Sequence, residues 1–267
     1  MKTKPEKRSP LKERPLRMPG QSIDDQIDNQ QDDIVTFIMY PTFFIALIVS
    51  KWVDAITPKS SNSITVPSFI SWLIFLGFLA YCTYRVFKAR KTITRLKMAR
   101  DGERIVAEEL QVLIKDGATV INDVLADNFN IDHVVVSKHG IYLIETKTFS
   151  RPVKKEAKIS FDNEQVYADG FLIDRNPIQQ AKALAKWLQD LLMQSTGTKF
   201  TIRPVVLFPG WFIEPMKRGQ EVWILNPKAL PTFVSNEPVL LKDTDVHLVA
   251  FHLSRYIRTF TPKQEKS

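Results

Sequence analysis

An α/β domain preceded by a transmembrane helical hairpin is the fold this sequence predicts. Three observations predict it. Two long apolar runs in the first third carry no charged residue. Lys and Arg crowd the outer flanks of those runs and thin out between them. From residue 101 onward, apolar residues switch between a helical period near 3.6 and a strand period of two.

The first run is "IVTFIMYPTFFIALIVS", Ile34 to Ser50, and it extends through Trp52 and Val53. The second is "ITVPSFISWLIFLGFLAYCTY", Ile64 to Tyr84. A spanning helix needs about 20 mostly apolar residues; the second run meets that, and the first is near the short limit until extended through Trp52 and Val53. Pro41 is tolerable in a lipid-embedded helix. The competing reading is a pair of buried helices in a soluble core; charge-free runs of this length favour the membrane. A signal peptide fits poorly, because "IDDQIDNQQDD" precedes the first run instead of a short basic segment.

Residues 1–32 hold seven Lys and Arg, residues 51–63 hold two, and residues 85–100 hold seven. The positive-inside rule then puts both termini in the cytoplasm of an inner-membrane protein that crosses the bilayer more than once. Residues 1–33 read as a disordered charged arm, 34–53 and 64–84 as the spans, and 54–63 as a short external loop. Residues 85–100, "RVFKARKTITRLKMAR", read as a basic juxtamembrane linker lying on the anionic leaflet. The net charge of +8 asks for an anionic partner, nucleic acid or lipid. The only cysteine is Cys82, so no intrachain disulfide forms.

The soluble part, residues 101–260, follows in order, with 261–267 as a tail. "GERIVAEELQVLIKDG" is an amphipathic helix with Val106, Leu110 and Leu113 on one face and Gly117 beyond its end. "ATVINDVL" is a strand. "IDHVVVSKHGIYLIETK", Ile131 to Lys147, is a hairpin. "KISFDNEQVYADGFLID" alternates and turns, as edge strands do. "NPIQQAKALAKWLQDLLMQSTG" is a helix with Asn176 as N-cap and Pro177 in the first turn. "TIRPVVLF" is a strand in which Pro204 argues for an edge or an irregular start. "EVWIL" is a further strand. "DTDVHLVAFHLSRYIRTF" closes the chain as a helix starting at Asp243 or Asp245.

The hairpin carries the chemistry. Directly opposed residues of an antiparallel pair share a face. If Val136 faces Ile141, Asp132 faces Glu145; if Lys138 faces Ile141, Asp132 faces Lys147. Either even register gathers Asp132, Glu145 and Lys147 on one face, and an odd loop separates them unless a bulge restores parity. Two carboxylates can hold a hard cation such as Mg²⁺ with waters completing the octahedron. A lysine can then position a water or stabilise charge on a phosphorane. The plain alternative is a cross-strand salt bridge worth about 0–1 kcal/mol.

Helical spacing adds two residues. Glu103 precedes Val106 and Leu110 by three and seven, so it extends the apolar stripe toward the sheet; the alternative is simple charge–dipole support of the helix start. Gln180 precedes Leu184 and Leu188 by four and eight and borders the buried stripe, whereas Gln179 aligns with Lys182 and Lys186 on the polar side. After the hairpin, Arg151, Lys154, Lys155 and Lys158 form a basic loop able to contact phosphates without reading sequence. His133 points away from Asp132 and reads as a packing residue. His139 reads as a solvated turn residue. Trp187 and Trp211 read as packed.

Taken together, "GERIVAEEL", the hairpin and "NPIQQ", in this order and spacing, resemble the nuclease-related domain (NERD) family of the PD-(D/E)XK nuclease superfamily. The resemblance covers about residues 101–212. It implies an α/β core of mixed sheet flanked by helices. It further implies that Asp132 and Glu145 are the acidic metal-binding residues, Lys147 the catalytic lysine, Glu103 the helix acid that binds or orients metal, and Gln180 the helix glutamine. The activity so implied is Mg²⁺- or Mn²⁺-dependent hydrolysis of nucleic acid, DNA ahead of RNA, at the cytoplasmic face of a lipid bilayer, with defence against foreign nucleic acid as a role. A homo-oligomer is compatible with this. The other class of reading is an inactive membrane-anchored module that binds nucleic acid or acts as a scaffold.

Overall fold

A glycine in left-handed backbone, Gly117 at φ +88°, ends a long helix and delivers the chain into the main sheet. The computed structural model describes residues 14–56, 69–150, 157–162, 164–216 and 219–261. They form two compact units: residues 23–98, and Ala99 onward together with the residues up to Ser22.

The first unit is built from helices α1 (Gln21–Ile56) and α2 (Phe69–Lys115). Phe37 meets Tyr81 edge-on at 6.1 Å, Phe44 meets Phe78 at 5.7 Å, and the Arg85 guanidinium lies 4.5 Å from the Phe37 ring centroid. As one partner number rises the other falls, so the helices run antiparallel. Both are long and apolar enough to cross a membrane. Core helices of a soluble protein bury their most apolar stretches; here only 6% and 17% of those windows are buried.

Two expected boundaries need correction. Residues 21–33, read as disordered arm, are the first turns of α1. Ile23 and Ile27, one turn apart, are buried and give this polar segment an apolar edge that composition hides. Residues 85–100, read as a linker, are uninterrupted α2. No Gly or Pro occurs between Phe78 and Asp101, and Lys, Arg, Ala and Leu all favour helix. Of the expected external loop, residues 57–63 lie outside the described residues, as do residues 1–13 and 262–267.

In the second unit α2 leads into three antiparallel strands, β1 (Thr119–Leu125), β2 (Asn130–Ser137) and β3 (Gly140–Thr146). Next come β4 (Lys158–Phe161), β5 (Val166–Ala168) and β6 (Phe171–Leu172), then helix α3 (Pro177–Thr196) and β7 (Ile202–Leu207). The chain closes with β8 (Phe212–Ile213), β9 (Trp223–Leu225), α4 (Leu230–Ser235) and α5 (Asp243–Thr259). One mixed sheet has the order β1-β2-β3-β7-β9, with β3, β7 and β9 parallel; a smaller sheet has the order β6-β5-β4-β8.

The period of two in β2 sorts its side chains into two cores. Val134 and Val136, with Ile141 and Leu143 of β3, pack against Leu188 and Leu192 of α3 and Val249 and Leu253 of α5. Val135, with Tyr142 and Ile144, packs on the other side against Val106, Leu110 and Leu113 of α2 and Leu230 and Val234 of α4. Each fully buried Leu or Val contributes about 1.5–3 kcal/mol of transfer free energy. Trp187 packs against the first cluster and Trp211 belongs to a third, so both are core residues.

Helix α3 keeps its expected ends. Asn176 Oδ1 accepts from the Ile178 N–H at 3.0 Å, Pro177 occupies the first turn, and Gly197 closes the helix in left-handed backbone. Pro204 lies in β7, a central strand, and the cost is avoided by position. Pairing with β9 begins only at Val205, so Pro204 has β3 on one side and no strand partner on the other.

Candidate active site

The hairpin has the even register. Ser137 pairs with Gly140, Val136 with Ile141 and His133 with Ile144. The ladder stops at His133–Ile144, one step short of Asp132 and Glu145. The loop is Lys138–His139. Gly140 takes φ +145°, and His139, expected to be solvated, is instead tied through Nδ1 to the Glu237 carbonyl at 2.6 Å. The same parity that sends Leu143 and Ile141 toward α3 sends Glu145 there, where Gln180 waits one turn inside the helix.

Four of the expected residues meet. Glu145 Oε1 accepts from Lys147 Nζ at 2.7 Å and from Gln180 Nε2 at 2.7 Å. Lys147 Nζ also donates to Gln180 Oε1 at 2.9 Å, which closes a three-residue ring. Lys147 is fixed along the strand because its backbone N–H reaches the Leu207 carbonyl at 2.8 Å, one step past the end of β3. Asp132 Oδ2 accepts the Thr146 N–H at 2.7 Å, a bond that sequence reading does not reveal because the donor is backbone. Glu145 Oε2 is buried and has no hydrogen-bond partner among the described residues.

Glu103 arrives from the opposite side of the sheet. A Cβ on Gly102 would fall 2.0 Å from Thr148 Cγ2, so only glycine lets α2 approach the end of β3 this closely. The neighbouring Glu103 is buried, and its charge is felt at Asp132. Burial pushes the Asp132 carboxyl well above its ordinary range, and the Glu145 and Glu103 charges add to the rise; the Thr146 N–H and Lys147 oppose it. Burial raises Glu145 too, against the pull of Lys147 and Gln180. His133 lies on the other strand face as expected, with Nδ1 2.8 Å from Asn122 Oδ1, and burial lowers its pKa to about 3.

The basic loop is less well matched. Arg151, Lys154 and Lys155 lie outside the described residues. Lys158 opens β4 in the smaller sheet, and its Nζ pairs with Glu214 at 2.6 Å.

The donor set fits a hard divalent cation. Asp132 and Glu145 supply carboxylate oxygens, one of them buried and unsatisfied, and burial together with the Glu145 and Glu103 charges lifts the Asp132 pKa. Among the described residues no three His, Cys, Asp or Glu side chains form a ligand group, so Glu103 acts on Asp132 without completing one. Mg²⁺ suits two carboxylates, since it keeps several of its waters.

Fold and site together define a mixed α/β domain with a carboxylate–lysine cluster on a β-hairpin. Residues 99–209 match the family model described as "Nuclease-related domain", a match consistent with a PD-(D/E)XK-like fold. Strand β9 and helix α5, which complete the sheet and one core, lie beyond the matched stretch. No curated protein and no solved structure matches the chain.

Proposed function

We propose that the protein is a membrane-anchored, metal-dependent nuclease that hydrolyses phosphodiester bonds of nucleic acid, DNA ahead of RNA. The observation that carries this reading is the ring of Lys147, Glu145 and Gln180 beside Asp132, with Glu145 Oε2 left open. Asp132 and Glu145 would hold Mg²⁺ or Mn²⁺, with Glu103 near by. Such an ion, when bound, polarises the phosphate and lowers the pKa of a bound water.

The remaining steps belong to the chain. Lys147 stabilises negative charge building on the phosphorane oxygens as water oxygen bonds to phosphorus. The bond to the leaving sugar oxygen breaks; the attacking water gives up one proton to solvent and the leaving oxygen takes one up from solvent. Gln180 and Glu145 together hold the Lys147 ammonium on its line of approach. The Thr146 N–H fixes one Asp132 oxygen and so orients the other.

Helices α1 and α2 are the membrane anchor in this proposal. The Lys and Arg asymmetry supports an inner-membrane placement with both termini and the nuclease-like domain in the cytoplasm. A nuclease held there meets nucleic acid as it enters, which suits defence against foreign DNA. A second reading, an inactive nucleic-acid-binding or scaffolding module, draws on the mutual neutralisation of Lys147 and Glu145 at 2.7 Å.

The test is incubation of the purified chain with single- and double-stranded DNA and RNA in Mg²⁺, Mn²⁺ or EDTA. Cleavage that needs the cation supports the nuclease; binding without cleavage of all four substrates selects the module.

A further inference from the structure

The segment ahead of the first membrane helix docks on the sheet directly beside Asp132. Asp123, in the middle of β1, is fully buried and sits at φ +51°, a left-handed conformation that few non-glycine residues adopt. The β1–β2 ladder pairs Asn122 with His133 and Val124 with Ile131; by count, Asp123 faces Asp132 between them. The kink therefore falls at the proposed metal ligand.

Four hydrogen bonds surround that kink, and three of them reach the N-terminal segment. Asp123 Oδ2 accepts from Arg17 Nε at 2.5 Å and from the Ser22 N–H at 2.9 Å. Asn130 Nδ2 donates to Ser22 Oγ at 3.1 Å and to Asp123 Oδ1 at 3.2 Å. Asn130 precedes Asp132 by two on β2. Gly20, at φ +70°, lets the segment pass close to Arg100: a Cβ there would meet Arg100 Cγ at 3.0 Å. A buried aspartate with a left-handed backbone is costly to keep, and its partners here are Arg17 and the first turn of α1.

We infer that Arg17, Ser22, Asp123 and Asn130 are positioning residues: the docked N-terminal segment holds the β1–β2 kink that aims Asp132 at Thr146 and at the cation. The inference rests on the metal site of the proposed nuclease for its functional consequence. Its structural part, a link from Arg17 to the Asp132–Thr146 bond, stands apart from that reading. Ser22, in the first turn of α1, belongs to this hydrogen-bonded group, and Asn130 of the same group lies two residues before Asp132 on β2.

The experiment uses the full chain in detergent micelles and its Arg17→Gln, Arg17→Lys, Arg14→Gln and Asp132→Asn variants. Amide exchange at Thr146 is followed in the metal-free protein, and Mn²⁺ affinity is measured by calorimetry. Arg17→Gln is expected to speed Thr146 exchange and to weaken Mn²⁺ about tenfold, the low end for loss of an outer support of a metal ligand. Arg17→Lys restores most of both. Arg14→Gln, which removes the same charge three residues away, matches the parent chain. Wild-type exchange at Thr146 in Arg17→Gln, or equal acceleration in Arg14→Gln, overturns the inference. If Thr146 responds to Arg17 but the parent chain binds no Mn²⁺ through Asp132, the metal reading falls and the positioning link stands.

Discussion

Replacing Gly102 by alanine tests how closely α2 approaches the C-terminal end of β3. The added Cβ would lie 2.0 Å from Thr148 Cγ2, 3.3 Å from Thr148 Cβ and 3.6 Å from Thr146 Cγ2. Carbon pairs normally rest at about 3.5–4.0 Å, so the first contact is short by about 1.5 Å. Thr148 is β-branched and rotates only between a few χ1 wells. Overpacking of this kind costs about 1–3 kcal/mol. Alanine recovers about 1 kcal/mol of helix propensity. The net loss is then about 0–2 kcal/mol, read by urea denaturation of the full chain in micelles with tryptophan fluorescence. Thr148→Ser removes Cγ2 and leaves the 3.3 Å contact. The double variant is expected to recover wild-type stability or better. Gly102→Ala alone gaining the full helix propensity would refute the close approach, and with it the route by which Glu103 reaches the sheet.

Further outcomes follow from the same geometry. Asp132→Asn removes a buried charge crowded by Glu145 and Glu103, so it abolishes cleavage while raising metal-free stability by about 0.5–2 kcal/mol. Both carboxyls have raised folded pKa values, so their contribution to stability is complete below the ordinary carboxylate range and is lost as pH rises through those values. Thermal melts of the metal-free chain between mildly acid and neutral pH should therefore slope downward, less steeply in Asp132→Asn. Leu188→Ala, at a fully buried site between α3 and the sheet, costs about 2–5 kcal/mol by the same urea titration. The full chain should stay with the membrane fraction through an alkaline wash; release into the supernatant contradicts the anchor.

Much of the fold was legible because each element carried its own signal. Asn176 and Pro177 marked the start of α3, and Gly117 marked the end of α2. Parity brought Glu145 and Lys147 to one face, and helical spacing chose Gln180 over Gln179; Gln180 is bonded in the cluster and Gln179 is exposed, whereas Asp132 joins through the Thr146 N–H and not through a ladder pair. What stayed hidden depends on contacts between distant segments. The start of α1 reads as polar and unstructured until Ser22 and Arg17 find Asp123, 101 and 106 residues away. The closeness of Gly102 to Thr148 leaves no trace in periodicity. Strand β8 is too short to alternate, and α4 too short to show a face. Pro204 misled because a strand's neighbours are not written in its own residues.

The central claim is that Lys147, held by Glu145 and Gln180, serves catalysis and not merely the fold. Cleavage and Mn²⁺ binding measured side by side in the parent chain and in Lys147→Ala test it most directly. Metal-dependent cleavage in the parent, lost in Lys147→Ala while Mn²⁺ still binds through Asp132 and Glu145, is the expected result. Cleavage that persists undiminished in Lys147→Ala contradicts it.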